Sequence, residues 1–111
     1  MGFAIYNKEG KPITMGELDV EAAEFLEVKF SAKKYASPKN YLCSWFDIVG
    51  AAIDNLSQGS HEWSEVIGYL AGIAATGENS FQEFIDALKP FKPFIELCMY
   101  WESKGYTPVS C

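Results

Sequence analysis

Arginine is absent from this chain of 111 residues, and histidine occurs once, at His61. The nine basic residues are all lysine and face fifteen acids, for a formal net charge of −6. The planar fork that grips phosphate or guanine bidentately is therefore missing, and neutralising phosphate needs a basic surface, so direct nucleic-acid binding is disfavoured. What positive charge exists is gathered at Lys29, Lys33, Lys34 and Lys39, a segment without an acid that reads as a solvated loop. Three cysteines, Cys43, Cys98 and Cys111, are odd in number and widely spaced, which points to reduced thiols in a cytoplasm rather than a disulfide framework. No apolar run approaches the ~20 residues of a membrane span. The start, MGFAIYNKEG, has neither a basic region nor an apolar stretch, so no signal peptide is expected. Tyr6 stands where myristoylation needs Ser or Thr, and no prenylation box is present. A glycine-rich phosphate loop, a GxSxG elbow and a CxxC pair are also lacking, and no cofactor is expected.

What the chain has is apolar surface: 49% of residues are hydrophobic and 15% aromatic, enough for one domain with its own core. The stretch from His61 to Thr76, HEWSEVIGYLAGIAAT, is free of charge after Glu65, and Trp63, Val66, Ile67, Leu70 and Ile73 share one side of a 3.6-residue helix. Gly68, Ala71, Gly72 and Ala75 form a second stripe of small residues. A helix apolar all round predicts burial, so this segment is expected at the centre of the fold, its small stripe admitting close approach of a second backbone.

Around it the chain reads as follows. Phe3–Tyr6 and Lys11–Ile13, joined by Asn7-Lys8-Glu9-Gly10, predict a small N-terminal β-hairpin with Pro12 on an edge. Thr14-Met15-Gly16-Glu17 is a capping box, with Ile13 and Leu18 placed as a hydrophobic staple. The helix it opens turns Met15, Leu18, Ala22, Phe25 and Leu26 inward. Ser37-Pro38 starts a second helix with Leu42, Trp45, Phe46, Val49, Ala52, Ile53 and Leu56 inward, and Asn40, Cys43, Asp47, Gly50 and Asp54 opposite. Ser60 is placed to cap the central helix and Gly77 to end it. A second capping box, Ser80–Glu83, opens a short helix ended by Pro90 and Pro93. The last helix turns Phe91, Phe94, Ile95, Cys98 and Trp101 inward and stops near Lys104-Gly105, leaving Tyr106–Cys111 as an extended tail. The expected fold class is mainly α: a compact, single-domain bundle of four to five helices around the helix at about 61–76.

Candidate chemistry is thin. His61-Glu62-Trp63-Ser64-Glu65 departs from the zinc motif HExxH, with Glu65 in place of the second histidine and no third ligand signalled by spacing. As first-turn residues, these are accounted for by capping and the helix dipole, so no metal is expected. A Cys43–His61 catalytic pair would join the starts of two successive helices, roughly 25 Å apart at 1.5 Å rise per residue. No catalytic residue is assigned.

One surface stands out. Glu17, Glu21, Glu24 and Glu27 line one face of the first helix, with no lysine among them, and like charges at these spacings each destabilise by roughly 0.2–0.5 kcal/mol. The ridge reads as a solvated face or as a docking face for a basic protein. The expectation is a small acidic protein-binding module or inhibitor, by analogy of type with phage- or mobile-element-encoded antagonists, rather than an enzyme. Two alternatives accompany it: a homo-dimer packed through the small stripe of the central helix, and a small-ligand pocket or enzyme among Trp45, Trp63, Tyr69 and Trp101.

Overall fold

The structure, a computed structural model, describes residues 2–30, 45–74 and 91–111, with the backbone alone described at 27–30 and 73–74. The elements run β1 (Phe3–Tyr6), α1 (Met15–Phe30), a π-helical turn (Phe46–Gly50) that continues into α2 (Ala51–Asp54), β2 (Gly59–Ser60), α3 (Trp63–Ala74), α4 (Lys92–Ser103) and β3 (Thr107–Ser110). The chain is mainly helical and compact, with a small antiparallel sheet in the strand order β1-β3-β2. The segment Lys33–Lys39, the Ser37-Pro38 helix start, Cys43, the Gly77 cap and the helix opened at Ser80 lie outside the described residues.

The sheet corrects the expected N-terminal hairpin. The turn forms as its residues dictate: Asn7 Oδ1 accepts from the amides of Glu9 and Lys11, both at 3.0 Å, and Gly10 takes φ 82°. Beyond it, Tyr6 and Pro12 meet in an isolated bridge only. The true partner of β1 is the chain end, in the register Phe3↔Ser110 to Tyr6↔Thr107, so the expected tail is the middle strand. Pro108 hides it, because proline argues against an inner strand. The Cys111 amide donates to the Gly2 carbonyl at 2.9 Å, which makes Ala4/Val109 and Tyr6/Thr107 the hydrogen-bonded pairs and turns Pro108 towards β2. There its carbonyl accepts from the His61 amide at 2.9 Å. The reciprocal bond is the one proline cannot donate, and β2 ends there.

α4 lies deepest, with Pro93, Phe94, Leu97, Cys98 and Trp101 buried as it packs against α1, α3 and the π-turn. Trp101 is its hub, with ring centroids 5.4 Å from Trp45, 5.7 Å from Trp63 and 6.4 Å from Tyr106. The helix stops where the sequence places its stop. Gly105 adopts φ 80°, its amide donates to Glu102 at 3.0 Å, and the Tyr106 amide donates to Trp101 at 3.1 Å. These are the paired bonds of a Schellman motif, completed by the Trp101–Tyr106 ring contact.

α3 departs from its expected role. Trp63, Val66 and Leu70 are buried, but Gly68 and Gly72 are exposed. Among the described residues, nothing outside the backbone of its own helix lies within 4 Å of a Cβ built on Gly68. Lack of charge is not burial: glycine and alanine carry little apolar area, so leaving them in water costs little. The helix starts at Trp63, because Ser60 is taken into β2, and the reciprocal half of a cap comes from Glu65, whose Oε1 accepts from the Glu62 amide at 3.1 Å.

The π-turn explains a second departure. A π-helix turns more slowly per residue than the α-helical spacing assumes, so the faces shift across it. Phe46, expected inward, is 49% exposed, and Gly50, expected outward, is buried under the Phe3 ring. A Cβ on Gly50 would lie 2.6 Å from Phe3 Cε1. Val49, Ala52 and Ile53 keep their inward places.

Candidate functional site

Two sides of α1 carry the acids singled out in the sequence, and the fold treats them differently. Thr14 Oγ1 accepts from the Glu17 amide at 3.2 Å and starts the helix. Leu18, Ala22 and Leu26 then fall four residues apart and are buried, while Met15, expected with them, is exposed. Opposite them Glu17, Val20 and Glu24 face water, and Val20 is 57% exposed. Val20 stands three residues from Glu17 and four from Glu24, so the outer stripe is an apolar centre flanked by carboxylates. Among the described residues no cation pairs with Glu17 or Glu24. The side chain of Glu27 lies outside the described residues.

Glu21 does not belong to that stripe. Its carboxylate is 25% exposed and turns to the rim of the core, where Lys104 Nζ donates at 2.9 Å. The Tyr106 hydroxyl lies 3.1 and 3.0 Å from its two oxygens, and Trp101 Nε1 donates at 3.3 Å. The Lys104 ammonium also sits 5.3 Å and 4.9 Å from the ring centroids of Tyr100 and Tyr106. Its hydrogen bond to Glu21 pushes the Lys104 pKa up, and burial raises that of Tyr106. No periodicity signal could link Glu21 to Lys104, because the two are 83 residues apart and meet only when α4 docks on α1. Asp19 was likewise missed: its Oδ1 accepts from Trp45 Nε1 at 2.6 Å. With Trp63 Nε1 donating to the Tyr106 carbonyl at 2.9 Å, each of the three buried indoles has an acceptor.

His61 sits in a cleft of about 460 Å³ whose walls include Glu62, Glu65, Glu102 and Tyr106. The imidazole is 9% exposed. Its Nδ1 lies 2.8 Å from Glu65 Oε2, and its Nε2 meets the Ser57 carbonyl. Both nitrogens face oxygen acceptors, which an imidazolium satisfies and a neutral ring cannot, and these two contacts push the His61 pKa up. The same bond lowers that of Glu65. The pair considered as metal ligands is thus spent on a local clamp, and among the described residues no group of three His, Cys, Asp or Glu is placed to hold a metal. Burial pushes the Cys98 thiol up, away from the thiolate form, while Cys111 is exposed.

No protein-family model, curated protein or solved structure matches the chain. Among the described residues no helix is long and apolar enough to cross a membrane.

Proposed function

We propose that this chain is a small acidic protein-binding module or inhibitor that docks a basic partner on the outer face of α1 and performs no catalysis of its own. The observation that carries the reading is Val20, 57% exposed between Glu17 and Glu24, whose carboxylates meet no cation among the described residues. An apolar centre ringed by one sign of charge supplies contact area at the middle and steering at the rim. Glu21 supports the face from behind by tying α1 to the end of α4. Glu27 joins the stripe by spacing alone.

The test combines association kinetics and stability, with a basic partner recovered by affinity capture. Glu17→Gln with Glu24→Gln should slow association and flatten its salt dependence, while Val20→Ser should speed dissociation. Stability should change little, since Glu17 loses a favourable dipole contact worth a few tenths of a kcal/mol and Glu24 sheds like-charge repulsion of similar size. Partner binding indifferent to all three substitutions would refute the assignment.

A second reading is favoured by Gly68, exposed on α3 beside the half-buried Ala71: this small-residue face would pack two copies of the chain. Sedimentation equilibrium decides it. A dimer disrupted by Gly68→Leu supports it, and a monomer at high protein concentration removes it.

A further inference from the structure

β2 is only Gly59–Ser60, and so short a strand needs more than its own ladder to stay on the sheet. It pairs with β3 as Gly59↔Ser110 and Ser60↔Val109, and the His61 amide adds a bond to the Pro108 carbonyl at 2.9 Å. By the alternation of an antiparallel ladder, Gly59/Ser110 is then the neighbouring hydrogen-bonded pair.

His61 ties the two ends of this strand together. From the position after β2, its Nε2 reaches back to the carbonyl of Ser57, two residues before β2, and closes 57–61 into a loop. Its Nδ1 lies 2.8 Å from Glu65 Oε2 and fixes that loop to the first turn of α3. Just upstream, the Leu56 carbonyl accepts from Ser110 Oγ at 3.1 Å.

Both contacts of the ring exist together only in the imidazolium, since a neutral imidazole carries one N–H. When a proton leaves to water, the remaining hydrogen stays on the carboxylate side, because the charge-assisted bond is the stronger of the two. Nε2 then turns a lone pair on the Ser57 carbonyl, acceptor against acceptor, and the loop loses its closure. The groups around the ring do not supply a replacement donor. Its cleft is lined by Glu62 and Glu65 at the start of α3, by Glu102 of α4 and by Tyr106, whose hydroxyl is engaged with Glu21. Lys104 is held by Glu21, Lys8 lines a separate cleft with Ser60, and Asp54, the charged residue of α2, lines a third. The Ser57 and Glu65 bonds hold the ring's pKa above its ordinary 6.5.

We infer that His61 is a proton-operated latch on β2: protonated, it closes the 57–61 loop and holds the strand against β3; neutral, it stays with Glu65, releases the Ser57 carbonyl and lets β2 open from the sheet edge. The latch uses no residue of the α1 face, so its failure leaves the α1 reading standing and the reverse also holds.

The experiment follows the ¹⁵N-labelled full chain by NMR across the His61 titration, reading amide exchange as protection factors and the ring nitrogens directly. The amides of Gly59 and His61 should lose protection at least about fivefold as pH rises from about 5.5 to about 9, while those of Leu97, Cys98 and Trp101 in α4 keep theirs. Above the titration the neutral ring should carry its hydrogen on Nδ1. Glu65→Gln should move the loss of protection to lower pH, because the carboxylate that favours the imidazolium is gone. His61→Gln, which can present an N–H to Ser57 at every pH, should flatten the dependence. Protection at Gly59 and His61 that does not follow the His61 titration, an equal loss in α4, an equal loss in the His61→Gln protein, or a neutral ring protonated on Nε2 would each overturn the inference.

Discussion

Replacing Glu21 with glutamine separates a working carboxylate from its solvated neighbours on α1. The substitution keeps side-chain shape and removes one charge. Glutamine accepts through a single oxygen and presents an NH₂ where the second carboxylate oxygen now faces the Tyr106 hydroxyl. Lys104 at 2.9 Å and Trp101 at 3.3 Å both bond the other oxygen, so these two bonds lose their charge assistance, and the Tyr106 contact survives only as a neutral one in which the new NH₂ donates to the hydroxyl oxygen. Hydrogen bonds to charged groups contribute about 1.5–3 kcal/mol, whereas a solvated ion pair contributes about 0–1. With Glu21 25% and Lys104 33% exposed, the pair falls between these limits, and a loss of about 1–2 kcal/mol is expected. For a domain of this size that is roughly 4–8 °C in melting temperature. Glu24→Gln, three residues on, should shift the melt by no more than about 2 °C, and upwards, because it only relieves repulsion. Thermal unfolding followed by circular dichroism compares the two variants directly. A double-mutant cycle of Glu21→Gln with Lys104→Met should return a coupling of at least about 0.5 kcal/mol. If the two glutamine variants melt together, or the cycle shows no coupling, Glu21 is solvated like its neighbours and the hub argument fails.

The remaining expectations concern the clamp, the glycines and the thiols. His61 has a raised pKa in the folded chain, so its stabilising contribution is complete below the ordinary value of 6.5 and is lost as pH rises through the raised one. Glu65 has a lowered pKa, so its share is present above 4.5 and lost as pH falls through the lowered value. The stability difference between the parent chain and His61→Ala should therefore be greatest between those limits and shrink above neutrality; a difference that grows above neutrality contradicts the clamp. Gly50→Ala should destabilise by about 1–3 kcal/mol, because the new methyl meets the Phe3 ring at 2.6 Å, whereas Gly68→Ala on the open face of α3 should gain about 0.5–1 kcal/mol. Chemical denaturation of the two variants reads both signs, and a stabilising Gly50→Ala would show that the ring is not seated there. In native conditions a thiol reagent should label Cys111 quickly and Cys98 only on unfolding; mass spectrometry of a brief pulse that finds Cys98 modified argues against its burial.

Much of the fold was legible wherever the determining contacts are local. The Thr14 cap, the Asn7–Gly10 turn, the buried stripe of α1, the inward Phe94, Cys98 and Trp101 of α4 and its glycine stop all depend on residues within a few positions of one another, and periodicity and capping chemistry report such relations, although Leu97, fully buried, and Pro93 were not expected inward. A mainly helical chain followed from the same reasoning. Burial of Leu18, Ala22 and Leu26 needed no knowledge of what covers them, only that one face of α1 is apolar.

Tertiary structure decided the rest, because the deciding contacts join distant parts of the chain. The strand Thr107–Ser110 looks like a tail until β1 and β2 flank it, and the proline that argues against it is tolerated only because β2 stops at that point. Gly68 and Gly72 belong to a charge-free stretch, yet whether a charge-free face is buried depends on what docks there, which α3 does not encode. Across the π-turn Phe46 faces out and Gly50 in, and the Phe3 ring that rests on Gly50 lies some 45 positions away in sequence. Glu21 and Glu24 have the same side chain on the same helix, three residues apart. Only the approach of Lys104, Tyr106 and Trp101 makes one of them a buttress and leaves the other in water, since a carboxylate's role is set by the donors that reach it.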